Sequence, residues 1–161
     1  MAVVSTRIPH PPEQVFAVLR DGYSYADWVV GATAILSVGK RWPEVGWLIH
    51  YRIGLGPFDV LDHTMVYAVE ENRLLELRAR MRPMGTARIL FTLEPVPGGN
   101  GAAATNATDV TDVTDVTVNE HPASGLGALL HNRLLDALLV RRNTEMLRRF
   151  SAVVADRARR S

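Results

Sequence analysis

The sequence predicts an α+β fold that combines an antiparallel β-sheet with one long C-terminal helix. The first observation is that apolar residues recur at every second position across much of residues 32–96, as in strands with one buried face. The second is that residues 125–157 are dominated by Leu, Ala, Arg, Glu and Met, with no proline among them. A segment in which apolar residues recur at every second position, followed by one long helical segment, favours a sheet whose buried face is covered by that helix.

Length and composition are typical of one compact domain. With 161 residues, 47% of them hydrophobic, we expect a single domain over residues 1–161, with a flexible hairpin loop at 95–110 and a frayed tail at 158–161. The net charge of +1 gives no general attraction to nucleic acid. The sequence contains no cysteine and no apolar run near the roughly 20 residues of a membrane span. We therefore predict a cytoplasmic protein with no nucleic-acid partner and no stable membrane insertion.

The first predicted elements are one strand and two short helices. The segment AVVSTRI, residues 2–8, is β-branched and bounded by PHPP, which is typical of a strand. Pro11 and Pro12 suit a first helical turn, and apolar residues then recur at helical spacing until Gly22. The segment SYADWVV predicts a second short helix, with Ser24 as its N-cap.

Four successive segments alternate between two faces and are predicted to form the strands of a meander. Their inward sets are Trp47, Ile49, Tyr51, Ile53 and Leu55 in the first, and Leu61, His63, Met65, Tyr67 and Val69 in the second. In the third they are Leu75, Leu77, Ala79 and Met81, and in the fourth Ala87, Ile89, Phe91 and Leu93. The intervening residues are mostly polar, so we expect one face of the sheet to be wet.

Residues 108–116 repeat Thr-Asp-Val three times. A calcium loop needs oxygen ligands at alternating positions and a glycine for the turn, whereas the three aspartates, Asp109, Asp112 and Asp115, are three apart and separated by valine. On a strand they alternate between faces and do not converge. We predict instead a lengthened hairpin loop that leads into a last strand, DVTVNEHP, with Val116 and Val118 inward. A shift by one triplet would exchange the faces, so the register within 108–120 stays open.

The long helix has two different halves. In the second, Val140, Leu147 and Val154 recur every seventh residue and are predicted to be buried with Phe150 and Val153. The arginines and the glutamate between them are predicted to face solvent: Arg141, Arg142, Glu145, Arg148 and Arg149. The first half, LGALLHNRLLDALLV, has leucines around most of its circumference, so it must be covered on several sides, line a cavity or form an interface.

The order of these elements resembles the helix-grip fold of the START-like, or SRPBCC, superfamily, which includes polyketide cyclase/dehydrase-like proteins and lipid carriers. The resemblance covers nearly the whole chain. The segments that carry it are STRIPHPPEQVFAVL, YADWVVG, WPEVGW, LEPVPGGNG and LLDALLVRRNTEMLRRF. The resemblance implies a curved antiparallel sheet wrapped around the long C-terminal helix, two short helices after the first strand, and an apolar cavity between sheet and helix.

That cavity, taken together with the alternation, implies a set of residues that contact a small hydrophobic ligand such as a lipid or a polyketide-like aromatic. The predicted lining consists of Trp47, Ile49, Tyr51, Ile53, His63, Met65, Tyr67, Leu77, Met81, Ile89 and Phe91, with Leu126, Leu130 and Leu134 at the start of the helix. Such a mixture of aliphatic and aromatic side chains with a few polar tips is typical of ligand pockets.

Three of these residues are candidates for catalysis. An inward His63 would be suited to proton transfer, and Tyr51 or Tyr67 to orienting a ligand carbonyl. The alternative is a core histidine that is bonded to a neighbour, and tyrosines that only pack. Glu120 and His121 are adjacent on a strand, so at most one of them faces the cavity. The sequence lacks a glycine-rich phosphate loop, GxSxG and HExxH, and we predict neither a metal nor a cofactor.

Three functions follow as hypotheses. The first is a carrier or sensor that encloses a small hydrophobic ligand unchanged. The second is an aromatase/cyclase or dehydratase-like enzyme that works without a metal; the predicted inward positions supply no carboxylate for it. The third is a protein-interaction module that uses the leucine-rich start of the long helix. A homodimer is left open.

Overall fold

The computed structural model describes residues 2–55, 58–81, 85–97, 113–124 and 133–160. The predicted hairpin loop, Asp109, Asp112 and the leucine-rich start of the long helix lie largely outside the described residues. The predicted contacts of that helix start, including those of a protein partner, therefore stay predictions.

Seven antiparallel strands form one curved sheet. They are β1 (Ala2–Ile8), β2 (Ala32–Val38), β3 (Leu48–Leu55), β4 (Phe58–Glu70), β5 (Leu74–Met81), β6 (Gly85–Pro95) and β7 (Thr114–Ser124). Their order across the sheet is β1-β7-β6-β5-β4-β3-β2. The four predicted strands correspond to β3 to β6. The edge strand β2, with the sequence ATAILSV, shows no clean alternation, and its pairing with β3 is interrupted by two register shifts.

Two short helices and one long helix complete the fold. They are α1 (Pro12–Arg20), α2 (Tyr25–Trp28) and α3 (Arg133–Arg160), with a 3₁₀ turn at Gly22–Ser24. Helix α1 begins at a proline, as predicted. Helix α3 continues to Arg160, so the tail that was predicted to fray from residue 158 is helical up to that residue. The α+β, helix-grip prediction is confirmed.

Ser24 occupies the N-cap position of α2, as predicted, but it does not cap the helix through its side chain. The Oγ hydroxyl instead lies 2.8 Å from the carbonyl oxygen of Asp21 and 3.2 Å from that of Val18. Because a 3₁₀ turn runs directly into α2, the hydroxyl bonds back to the preceding turn.

The core lies between the sheet and α3. On the sheet side it includes Leu75, Leu77, Phe91, Val116 and Val118, and on α3 it includes Met146, Leu147, Phe150 and Val154. Trp28 joins these two layers, since its ring centroid lies 5.8 Å from that of Phe91 and 5.3 Å from that of Phe150, both nearly perpendicular. We call the face of the sheet toward α3 the inner face and the opposite one the outer face.

The predicted buried stripe of α3 is wrong at its N-terminal end. Val140 is 39% exposed, whereas Leu139 is 8% exposed and Asn143 is fully buried. An α-helix drifts by about 20° per seven residues relative to a strict heptad. Val140 lies two heptads before Val154, so the drift between them is about 40°. This rotation turns Val140 away from the sheet, and Leu139 and Asn143 face the sheet instead.

The predicted faces of β4 are reversed. Asp62, Thr64 and Val66 are buried on the inner face, whereas Leu61 is 61% and Tyr67 49% exposed. The reason is the pairing with β3, in which Thr64 lies opposite the buried Ile49. Residues directly opposite in an antiparallel pair share a face, so Ile49 places Thr64 inward.

Strand β7 has the predicted faces. Val116 and Val118 are fully buried, and the register is set by Val118 opposite Val4 of β1 and Phe91 of β6. The strand extends beyond the predicted end, through Pro122 to Ser124. Asp115, the one repeat aspartate within the described residues, forms two hydrogen bonds with Arg7 at 2.8 and 2.9 Å.

Candidate functional site

A cavity of about 250 Å³ opens beneath the inner face of the sheet. It is bordered by β2 to β6 on one side and by α2, the turn after it, and α3 on the other. The described residues that line it are Tyr25, Val29, Val30, Gly31, Ala32, Tyr51, Ile53, Gly54, Val60, Ala79, Arg80, Ile89 and Arg142. Gly31 has a φ of +97°, in the left-handed region that favours glycine. The backbone conformation of this turn therefore explains why a glycine stands at position 31.

The structure brings some of the predicted ligand residues together at this cavity and separates others. Tyr51, Ile53 and Ile89 line it. Ile49, Leu77 and Phe91 are buried in the core on the same inner face, and Trp47 is half-buried just before β3. Leu126 and Leu130, together with the side chains of Met81 and Leu134, lie outside the described part of the chain.

His63, Met65 and Tyr67 do not face the cavity. The reversal of β4 places them on the outer face, where His63 lies opposite His50 with 5.8 Å between ring centroids. The guanidinium of Arg78 stacks on the Tyr67 ring, 4.5 Å from its centroid. The predicted inward positions of these three residues are therefore wrong, and of the three candidates for catalysis, His63 and Tyr67 do not face a ligand in this cavity whereas Tyr51 does.

Three hydroxyl groups meet at the wall of the cavity. The Tyr25 and Tyr51 hydroxyls lie 3.1 and 2.9 Å from Oγ1 of Thr64, which is itself fully buried. The two tyrosine rings are 5.2 Å apart at an angle of 39°. The cluster depends on the inward orientation of Thr64 on β4. If Thr64 faced outward, the hydroxyls of two buried tyrosines would lose this partner.

Burial raises the pKa of both phenols. For Tyr25 the loss of hydration outweighs the hydrogen bonds from Thr64 and Tyr51 and the nearby positive charge of Arg142. For Tyr51 the same loss is reinforced by the neighbouring Tyr25. Both side chains are therefore neutral at physiological pH, and they present hydroxyl dipoles instead of charge.

A partly buried ion pair lies next to this cluster. Arg142 Nη2 donates to Glu120 Oε2 at 2.6 Å, and Asn143 Nδ2 donates to the same oxygen at 2.8 Å. Glu120 is only 1% exposed, and its other oxygen, Oε1, has no hydrogen-bond partner among the described residues. Arg142 also lines the cavity, so the pair connects a buried carboxylate with the ligand space.

Sequence reasoning missed Tyr25, Thr64 and Arg142. Glu120 had a usable signal, because it continues the inward alternation of Val116 and Val118 by two residues. Arg142 had no such signal, because it lies among the arginines of α3 that the sequence predicts to face solvent. Thr64 had none, since its inward orientation depends on β3.

Within the described ranges, no group of three or more His, Asp or Glu side chains has the geometry to hold a metal ion. None of the described helices is both long and apolar enough to cross a bilayer.

Comparison with known proteins matches the chain to one family model. The model is described as polyketide cyclase / dehydrase and lipid transport, and it matches residues 1–155. Among curated proteins, none matches the sequence.

Solved structures share the fold at low sequence identity. Protein MLL2253 of Mesorhizobium loti is 18% identical, with a TM-score of 0.63 over 97% of this chain and 96% of that one. A START superfamily protein of Mycobacterium smegmatis is 10% identical, with a TM-score of 0.67 over 96% and 97%. DynU16, a protein from the dynemicin biosynthetic locus, is 17% identical with a TM-score of 0.64, over 96% of this chain and 46% of DynU16.

Proposed function

This chain belongs to the polyketide cyclase/dehydrase and lipid transport family, and from that premise we propose that it encloses a small hydrophobic molecule, as a carrier or sensor. The ligand would occupy the cavity between the sheet and α3. The family description includes lipid transport, and lipids are largely apolar, so membership favours this class of ligand.

The observation that carries the proposal is the chemistry of the cavity wall. Among the described residues most of the lining is aliphatic, and the polar side chains are those of Tyr25, Tyr51, Arg80 and Arg142. A volume of about 250 Å³ lies just below the range of about 300–1,000 Å³ that is usual for small-molecule sites. Such a cavity suits a compact ring system with few polar atoms.

The carrier or sensor is favoured over an enzyme by the state of the candidate acid and base groups. Tyr51 and Tyr25 are neutral and share Thr64 as a hydrogen-bond partner, while His63 lies on the outer face. A ring closure or dehydration needs a group that gains and loses a proton next to the substrate. These tyrosines bind and orient a ligand better than they exchange protons with it.

A second candidate is a cyclase or dehydratase, and one observation favours it. The inner face carries two buried carboxylates, Asp62 and Glu120, although the sequence predicted none there. If this activity exists, Glu120→Gln would abolish turnover of an accepted substrate and His63→Ala would leave it intact. Loss of turnover in His63→Ala alone would contradict the assignment to this cavity.

The binding proposal is tested with N-phenyl-1-naphthylamine, a neutral apolar dye that fluoresces when it leaves water. We expect saturable binding at one site per chain. The variant Ala79→Leu fills the cavity from its wall, since Ala79 is 4% exposed and lines it, and we expect it to weaken binding about tenfold or more.

The matched control is Ala152→Leu, which adds the same side chain at an exposed position of α3. We expect it to bind the dye like the unmodified protein. Thermal melting of both variants separates a filled cavity from a loss of folding. Saturable binding that is equal in Ala79→Leu and Ala152→Leu would place the dye elsewhere and contradict the proposal.

A further inference from the structure

Arg142 is, among the described side chains of α3, the charged one that lines the cavity. Its side chain keeps 29% of its accessible surface, while its partner Glu120 keeps 1%. The guanidinium is held from one side, by Glu120 and by Oδ1 of Asn143, which lies 3.4 Å from Nε and 3.3 Å from Nη2. Its position is thus fixed by two buried neighbours before any ligand enters.

Not every N–H group of Arg142 has a hydrogen-bond acceptor among the described residues. A guanidinium carries five N–H groups. Those on Nε and Nη2 are directed at Glu120 and Asn143, whereas Nη1 has no acceptor among the described residues. Because Nη1 is not among the buried unpaired atoms of the described residues, it is accessible, and a ligand oxygen placed beside it would accept a charge-assisted hydrogen bond.

The charge at this point of the cavity is already balanced. The Glu120 carboxylate lies 2.6 Å from Arg142 and cancels its charge at short range. Arg80 also lines the cavity, but its side chain is exposed and its field is screened by solvent. A second carboxylate on the ligand would compete with Glu120 in a poorly hydrated site, whereas a neutral carbonyl oxygen would not.

We propose that Arg142 sets the ligand specificity of the cavity by donating from Nη1 to a neutral carbonyl oxygen on an otherwise apolar ring compound. This inference rests on the proposed binding function and names the chemical class of the ligand. Tyr25 and Tyr51 supply an aromatic wall beside this contact. Their hydroxyls are engaged with Thr64, so Arg142 is the principal donor to the ligand.

The test uses three naphthalenes of the same shape in competition with N-phenyl-1-naphthylamine. They are 2-acetylnaphthalene, which has a neutral carbonyl, 2-ethylnaphthalene, which lacks it, and 2-naphthoate, which is anionic. We expect the ketone to bind about tenfold more tightly than the hydrocarbon, as one hydrogen bond to a charged donor predicts. We expect the carboxylate to bind more weakly than the ketone.

Two variants assign this preference to Arg142. Arg142→Met removes the donor and leaves Glu120 without its cation, which destabilises the fold. The double variant Glu120→Gln/Arg142→Met avoids this unpaired charge, because an amide at position 120 still accepts from Asn143. In the double variant we expect the hydrocarbon to bind as before and the ketone to lose its tenfold advantage. Arg78→Met, which makes the same change on the outer face, keeps the preference.

The single variant Glu120→Gln tests the charge balance. It leaves Arg142 without its counter-ion, so we expect binding of 2-naphthoate to rise about tenfold relative to the ketone. A wild-type protein that binds the ketone and the hydrocarbon equally, or the carboxylate most tightly, would overturn the inference while the cavity proposal stands. Failure of the dye and all three naphthalenes to bind would instead refute the binding function itself.

Discussion

His50 lies directly opposite His63 on the outer face of the sheet, and their ring centroids are 5.8 Å apart. The Nδ1 atom of His50 is 3.2 Å from the Ser37 hydroxyl of the neighbouring strand. The histidine that the sequence singled out for catalysis is thus part of a polar row on the side of the sheet away from the ligand cavity.

His63→Ala should therefore leave ligand binding unchanged. Because the side chain is on the outer face, we expect the affinity for N-phenyl-1-naphthylamine to stay within about twofold and the free energy of unfolding to change by less than about 1 kcal/mol. Dye titration and urea unfolding measure these two quantities, and Ala79→Leu serves as the variant that does lose affinity. A tenfold loss of affinity in His63→Ala would mean that β4 faces the other way.

Thr64→Val should destabilise the fold although it preserves the side-chain shape. It removes the hydroxyl that both Tyr25 and Tyr51 contact, in a position that is fully buried. We expect a loss of about 1–3 kcal/mol of unfolding free energy, since buried phenols lose a partner. Thr33→Val, at an exposed threonine of β2, is the control and should change stability by less than about 0.5 kcal/mol. Equal effects of the two substitutions would show that the hydroxyl cluster contributes nothing.

Leu139→Ala and Val140→Ala should differ although the residues are adjacent. Leu139 is 8% exposed, and we expect its truncation to cost about 2–4 kcal/mol through lost burial and a cavity. Val140 is 39% exposed, and alanine is the better helix former, so we expect a change within about 0.5 kcal/mol. Denaturant unfolding compares them directly. A larger loss of stability in Val140→Ala than in Leu139→Ala would mean that the buried stripe of α3 follows the strict seven-residue repeat predicted from the sequence.

Glu145 should titrate at unusually low pH. Hydrogen bonds from Arg148 and Arg149, at 2.7 Å each from their Nε atoms, lower its pKa to about 2. Since the pKa is lower in the folded state, the stabilisation is present above the pKa of the unfolded chain. It is lost as the pH falls toward 2.

Carbon-13 NMR of the glutamate side chains measures this titration, with the remaining glutamates as internal reference. Replacing both arginines, as Arg148→Ala/Arg149→Ala, should move the pKa of Glu145 up toward 4.5. Because the group is exposed, we expect the shift in titration without a large change in stability. An unchanged pKa in the double variant would show that the two arginines do not contact Glu145 in solution.

The sequence by itself determined the class of fold and most of its elements. Alternate residues of a strand form two sets, and the faces can be assigned when one set is clearly more apolar than the other. This is so in β5, β6 and β7, which is why Leu77, Phe91 and Val118 were predicted inward. The long helix followed from composition, although its exact buried stripe did not, because a seven-residue repeat only approximates the helical period.

Only the tertiary structure decided the faces of β4 and the polar part of the site. Both sets of β4 mix apolar and polar residues, so alternation says which of them share a face but not which face is inside. The register with β3 decides between them. Thr64 pairs with the buried Ile49 and so faces inward, and the adjacent His63 therefore faces outward. Likewise, Glu120 and Arg142 are 22 residues apart in the chain and meet at 2.6 Å only because α3 docks across the inner face beside β7. Long-range pairing, which no local pattern encodes, thus places Arg142 at the cavity.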